Sequence, residues 1–344
     1  PIWHKEIEDI IVLKNNKGTE DNRVRKLDYS IQLSKLFYER FINNEDITLF
    51  SPHEVPELYE AWGTEAFDEL YTTAERKTSV SKTKVNAQTL IMDMLKERAE
   101  TGRIYIMNID HCNTHSSFKD RVTMSNLCQE ITLPTDPIQH IDGAGEIALC
   151  ILSAINVGKI NNVEELEPLC ELAVRSLDEI IDHQLYPVKA AEISTKARRS
   201  LGIGYIGLAH YIAKNKVKYS DKQAWKLVDE LTEAFQFYLL KHSNVLATEK
   251  GKNEFFDRTK YSDGILPIDT YKPEVDELVK RKLTYDWEWL RTQIKKNGLR
   301  HSTLSAQMPS ESSSVVSNAT NGIEPPRDYL SIKKSKKGTL KQIV

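Results

Sequence analysis

From Asn86 to Asp110 the chain reads NAQTLIMDMLKERAETGRIYIMNID. Up to Thr101 its apolar residues recur at three- and four-residue intervals, the spacing that gathers them on one face of a helix. Gly102 stands where a helix stops at least cost, because a residue without a Cβ enters the left-handed conformation of the C′ position freely. From Arg103 to Asp110 the run Ile104, Tyr105, Ile106, Met107 and Ile109 predicts a strand. Helices that alternate with short strands in this way argue for an α/β fold.

Outward from this unit the alternation continues. Leu27 to Phe41 reads as a helix with Leu27, Ile31, Leu33, Leu36, Phe37 and Phe41 on its buried face. Val163 to Ile181 reads as a helix interrupted early by Pro168, and Ser220 with Gln223 as a capping box opening a helix that runs to Gly251. Asp286 to Asn297 is expected to be helical and closed by Gly298, with short extended segments at Ser302–Leu304 and Tyr329–Lys333. The apolar run Ile10–Leu13 is bounded by the turn cluster Lys14-Asn15-Asn16-Lys17-Gly18, and Thr339 to Val344 alternates like a strand. The chain starts at Pro1 without an initiator Met, and both ends read as cut in mid-pattern, leaving the apolar face of Ile10–Leu13 exposed.

The composition narrows the class. Over 344 residues, 47 Lys and Arg against 50 Asp and Glu leave a net charge of −3, so no global field recruits nucleic acid or an anionic membrane. The longest apolar stretch, Ile147 to Leu152, is far short of the ~20 residues that cross a bilayer, and no basic-then-apolar leader precedes it. Four cysteines, Cys112, Cys128, Cys150 and Cys170, are too few for a disulfide scaffold, which points to a reducing, cytoplasmic setting.

Several segments can carry chemistry. If Ser125-Asn126-Leu127-Cys128-Gln129-Glu130-Ile131-Thr132-Leu133-Pro134 is extended, its period of two puts Asn126, Cys128 and Glu130 on one face. That would set a nucleophile or radical centre beside an acid–base group and an amide anchor, or it is a strand with a packed thiol and a solvent-facing carboxylate. Cys150 ends the apolar run Gly145–Cys150, which reads as a buried strand with a structural thiol. His111-Cys112-Asn113-Thr114-His115 lacks a second ligand cluster and is expected to be a hydrogen-bonded turn, not a metal site; Cys170, beside Leu169 and Leu172, is expected in a helix core. Gly202, Gly204 and Gly207 spell G-x-G-x-x-G with Asp221 at a suitable distance. The preceding Ser194–Ser200 is polar and basic, so these glycines are read as close packing of helix against backbone, with dinucleotide binding a distant alternative. Met308 to Gly322, with Pro309, Ser310, Glu311, Ser312 and Ser313, suits the start of a short helix, where free N–H groups and hydroxyls attract phosphate; a plain serine cap is the other reading.

Taken in order, Ser125–Pro134, Gly145–Cys150, Leu201–Gly204 and Ser302–Pro326 resemble the large, catalytic subunits of class Ia ribonucleotide reductases, with the close likeness to bacterial and phage members. Asn22-Arg23-Val24-Arg25, Thr48–His53 and His111–His115 extend the likeness over the whole chain. The resemblance implies a ten-stranded α/β barrel of two half-barrels with a finger loop through its centre. Residues 1–344 would be a partial catalytic barrel domain without the N-terminal regulatory and first half-barrel portion and the C-terminal tail. It implies that Cys128 becomes a thiyl radical, that Glu130 is the general base and that Asn126 anchors the ribose hydroxyls. Cys150 would be one of two reducing thiols, its partner lying upstream of Pro1, and Pro309, Ser310, Glu311, Ser312 and Ser313 would cradle the diphosphate.

No cofactor or metal would be bound directly. A metal-containing small subunit would supply the radical and a thioredoxin- or glutaredoxin-type protein the electrons. The implied partners are a ribonucleoside diphosphate, that small subunit, the complementary N-terminal part and a second large subunit, in the cytoplasm (the host's, if phage-encoded). The chain is expected to be inactive alone. The alternative is a non-catalytic scaffold fragment.

Overall fold

The computed structural model describes every residue except Asn16, Gly18, Arg25, Ile141, Asp142, Ala144, Lys336, Lys337 and Val344. Part of the turn read at Lys14–Gly18, the last residue of the Asn22–Arg25 motif and the end of the strand read at Thr339–Val344 therefore lie outside the described residues. The chain forms two compact units, Pro1–Ser116 with Arg121–Thr132, and Ser117–Asp120 with Leu133–Val344.

The first unit holds strands β1 (Tyr29–Leu33), β2 (Asp46–Phe50), β3 (Lys82–Asn86) and β4 (Ile104–Asn108). β1 lies parallel to β4, Tyr29 opposite Ile104, and β2 antiparallel to β3. The single helix read over Leu27–Phe41 is corrected: β1 occupies its first half, Ser34 is extended at φ −114°, ψ 171°, and only Lys35–Ile42 is helical. Tyr29, Ile31 and Leu33 alternate with Ser30 and Gln32, and the distant β4 ladder settles the matter for the strand.

Helix Ala87–Thr101 forms as read. Asn86 caps it by accepting the Thr89 N–H at 3.1 Å, and Gly102 ends it at φ 64°. β4 runs straight into a short helix, Ile109–Thr114, so the His111–His115 motif is helical where a turn was expected. The core is aromatic: Trp3, Phe37, Trp62, Phe67 and Tyr71 interlock, with Trp62 and Phe67 centroids 4.5 Å apart edge to face. Ile11 is buried against this unit from helix Ile7–Ile11, so the Ile10–Leu13 run is not an exposed apolar face.

In the second unit β5 (Ile151–Asn156) lies parallel to β6 (Leu201–Ile206), Ile151 opposite Leu201. Residues 303–306 run along the other edge of β6: Leu201 donates to the Thr303 carbonyl, Ile203 to that of Leu304, and Ala306 back to Ile203. A Cβ on Gly204 would come within 2.3 Å of the Ala306 oxygen, so this approach requires glycine. The close packing expected of the G-x-G-x-x-G stretch is therefore strand against backbone, not helix against backbone. The strand passes through its first two glycines, and Gly207 at φ 77° starts helix Leu208–Lys214.

Helix Leu166–His183 is uninterrupted. Pro168 sits in its first turn, where the missing N–H has no intrahelical acceptor to lose. Helix Lys222–Lys250 starts one residue after the capping box reading, with Asp221 at the cap accepting from the Lys218 N–H instead, and stops at Gly251. Asp286 and Gly298 bound helix Trp287–Asn297 as read. β7 (Leu330–Ser335) and β8 (Gly338–Ile343) form an antiparallel pair. Among the described residues no helix is long and apolar enough to cross a membrane.

Helix Leu166–His183 carries a fully buried acid, Asp178, into this unit's core. It accepts from Arg199 Nε at 2.6 Å, Arg300 Nε at 3.1 Å and His301 Nε2 at 3.2 Å. Burial would raise the Asp178 carboxyl, but His301 and Arg199 hold it far below the usual carboxylate range; burial pushes His301 down to about 4. An unfolded chain thus binds a proton at His301 that the native one refuses between roughly pH 6.5 and 4, so acidification through that window should lower stability. Denaturant titrations at pH 7 and pH 5 should show a lower midpoint at pH 5; identical midpoints would contradict this.

Candidate active site

Asn126, Cys128 and Glu130 share one loop of the first unit, but not the extended geometry expected of them. Ser125 bridges Thr132 in antiparallel fashion, closing the loop at its base. The Gln129 N–H donates to the Asn126 carbonyl at 3.3 Å, and Gln129 takes a left-handed φ of 65°. Asn126 stabilises the bend with its side chain as well, accepting from the Ile131 N–H at 3.5 Å, the local bonding that makes asparagine a turn residue. Ser125 Oγ donates to the Ile131 carbonyl at 2.8 Å. Cys128 therefore stands on a tight turn, not on one face of a strand.

The chemistry of the three groups follows from their surroundings. The half-buried Cys128 thiol is raised above its ordinary value by burial, then by the negative charges of Glu130 and Asp28, so it remains S–H at neutral pH. Glu130 keeps Oε2 shielded from solvent and, among the described residues, without a hydrogen-bond partner. A carboxylate oxygen in that state is free to take a proton from a bound hydroxyl.

The other predicted residues belong to the second unit. Cys150 directly precedes β5 and is half-buried. The run before it is not the buried strand expected: its buried residue is Glu146, and its apolar side chains are only partly covered. Arg198 grips Glu146 through Nε at 2.6 Å and Nη2 at 2.8 Å, and reaches Asp120 through Nη1 at 2.9 Å. Burial would raise Glu146, but Arg198 outweighs it and keeps the carboxyl low. Sequence reasoning passed over this pair, although a Glu inside an apolar run is the signal that could have found it.

Ser310 starts helix Glu311–Val316, as read, with its N–H donating to Asn321 Oδ1 at 2.7 Å. Ser310 is buried, while Glu311, Ser312 and Ser313 are exposed. The first-turn amides of the helix have no intrahelical acceptor, and beside them the Ser312 and Ser313 side chains are exposed. Burial raises the other two thiols, Cys112 up to about 11 and Cys170 up to about 12, which disfavours their thiolate forms at neutral pH. His111 and His115 sit a turn apart with ring centroids 5.4 Å from each other. Among the described residues no three His, Cys, Asp or Glu side chains gather as metal ligands would.

Compared with known proteins, residues 1–344 match the family model described as the ribonucleotide reductase barrel domain. The chain is 58% identical over 350 residues to the ribonucleoside-diphosphate reductase subunit alpha of Haemophilus influenzae, covering 100% of this chain and 46% of that protein. It is 55% identical to ribonucleoside-diphosphate reductase 1 subunit alpha of Escherichia coli K12, with the same coverage. The subunit alpha of Enterobacteria phage T4 is 45% identical over 352 residues, again covering 100% and 46%. The chain spans about half the length of the curated relatives it matches.

Proposed function

Because the chain belongs to the ribonucleotide reductase barrel-domain family, we propose that it is the catalytic barrel portion of a ribonucleoside-diphosphate reductase large subunit, making deoxyribonucleoside diphosphates for DNA synthesis. On this reading residues 1–344 form part of a ten-stranded α/β barrel, and the Ser125–Thr132 loop is its central finger. The observation that carries the proposal is the Cys128 turn, where a protonated thiol stands in the field of a carboxylate whose Oε2 has no hydrogen-bond partner among the described residues.

Cys128, as a thiyl radical, takes the hydrogen from C3′ of the ribose, forming an S–H bond and leaving the radical on carbon. Glu130 accepts the 3′-hydroxyl proton, and Asn126 anchors the ribose hydroxyls. The 2′-hydroxyl takes a proton from one thiol of the pair formed by Cys150 and a second cysteine of the longer subunit, and leaves as water. The pair supplies two electrons and its second hydrogen to C2′ and closes to a disulfide, Glu130 returns its proton to the 3′ oxygen, and Cys128 returns its hydrogen to C3′. A metal-containing small subunit supplies the radical, and an external thioredoxin- or glutaredoxin-type protein reopens the disulfide. Pro309, Ser310, Glu311, Ser312 and Ser313 hold the diphosphate through hydroxyls and first-turn amides. The further partners are the rest of the subunit, including its N-terminal part, and a second large subunit, in the cytoplasm of the cell or of a phage host.

Two substitutions in the full-length subunit test these roles. Glu130→Gln should leave nucleotide binding intact and lower turnover by roughly 10²–10⁴, the range for a lost general base. Weakened binding with normal turnover would contradict the assignment. Ser310→Ala and Ser313→Ala should each weaken nucleoside diphosphate binding by about 1–3 kcal/mol, measured calorimetrically, and the bare nucleoside less. Equal weakening of both ligands would favour a plain helix cap.

A further inference from the structure

The tip of the Cys128 loop is poorly held by packing. Leu127 is 61% exposed, and Gln129 and Thr132 border an open cavity of about 360 Å³ that Met107, His111 and Cys112 also line. The stem is held far more firmly. Val122, fully buried, donates its N–H to Asn113 Oδ1 at 2.8 Å, while Asn113 Nδ2 donates to the Val122 carbonyl at 3.0 Å and to that of Ile109 at 2.9 Å. This reciprocal pair imitates one rung of a strand ladder with a side chain. Room for it comes from Gly63, at φ 81°, where a Cβ would press to 2.9 Å from Asn113 Nδ2. At the next residue Gln32 of β1 donates from Nε2 to the Thr123 carbonyl at 2.7 Å, and its Oε1 accepts from Trp62 Nε1 at 2.6 Å.

We propose that Asn113 and Gln32 are positioning residues for Cys128: their side-chain amides grip consecutive main-chain units of the loop stem and so set where the thiol stands. The role rests on the reading of Cys128 given above. Three consecutive peptide units are fixed just before the Ser125–Thr132 closure, so their placement passes along a short chain to a tip that packing leaves free. A hydrogen transfer tolerates little misplacement, since about 1 Å can cost a reaction roughly 10²-fold.

The test uses the full-length subunit with its radical-generating partner and two variants. Asn113→Ala removes the reciprocal pair, and Gln32→Glu keeps the acceptor for Trp62 but loses the donor to Thr123. Each should lower kcat by about 10- to 100-fold and leave KM for the nucleoside diphosphate within about twofold. Independently of turnover, the pH profile of Cys128 alkylation by iodoacetamide, followed on its own peptide by mass spectrometry, should shift from that of the wild type as the thiol leaves its surroundings, and to lower pH in Asn113→Ala, which adds no charge. Folded variants with wild-type kcat and an unchanged alkylation profile would overturn the proposal. So would a loss of stability with that profile unchanged, which assigns the amides to the fold alone. If Asn113→Ala does not fold, Gln32→Glu carries the same test. Turnover retained by Cys128→Ser would instead overturn the reading of Cys128, while the alkylation profile still reports on the clamp.

Discussion

Cys128→Ser, introduced into the full-length subunit, is expected to abolish deoxynucleotide formation while leaving the fold and nucleotide binding intact. Serine is nearly isosteric, and Cys128 is half-buried on a turn whose hydrogen bonds come from Ser125, Asn126 and Gln129, so the bonds that shape the loop do not depend on the thiol. What disappears is the sulfur. A thiol S–H bond is weak enough to exchange hydrogen with a ribose carbon in both directions, whereas an alcohol O–H is too strong to be formed and broken at that step. The wild-type thiol is also kept protonated by burial and by Glu130, the form the proposed cycle needs for returning the hydrogen. Turnover by the purified variant, with wild-type contamination excluded, would sink the assignment.

The second large effect is on stability. Arg198→Met should destabilise the protein by about 3–5 kcal/mol, because it leaves the Glu146 carboxylate buried with its principal partner gone. Arg198 is 1% exposed and Glu146 5%, and the guanidinium also packs 5.1 Å from the Phe255 ring centroid. Arg258, which reaches Asp120 at 2.8 Å and Glu146 at 3.6 Å, replaces only part of the lost interaction. Adding Glu146→Gln to Arg198→Met should recover part of the loss, since the charge that needed a partner is then gone. Urea unfolding of the four proteins of this cycle measures both terms; a single-variant loss below about 1 kcal/mol would place the pair among ordinary surface bridges.

Candidate site residues could be proposed from sequence because their chemistry is local: an amide, a thiol and a carboxylate within five positions, and serines behind a proline. Helix limits at Gly102, Asp286, Gly251 and Gly298 were legible for the same reason, since capping depends on one or two residues. β1 was not. Its strand identity is fixed by pairing with Ile104–Asn108, and Leu27, Ile31 and Phe41 happen also to fit a helical period. Nor was the shape of the Cys128 loop, because a left-handed Gln129 leaves no mark in residue type. The strand through Gly202 and Gly204 was hidden too: glycines favour strands poorly, and the reason for them, the backbone at Ala306, lies a hundred positions away. Glu146 and Arg198 illustrate the same limit, each looking like a surface charge until the other is brought to it.

The central claim is that Cys128 takes the 3′ hydrogen of the substrate. The measurement that tests it most directly compares single turnovers of 3′-protiated and 3′-deuterated ribonucleoside diphosphate by the full-length subunit with its small subunit. Slower turnover of the deuterated substrate, with no product from either substrate in Cys128→Ser, is the expected result. Deoxynucleotide formation by Cys128→Ser showing the wild-type isotope effect would contradict it.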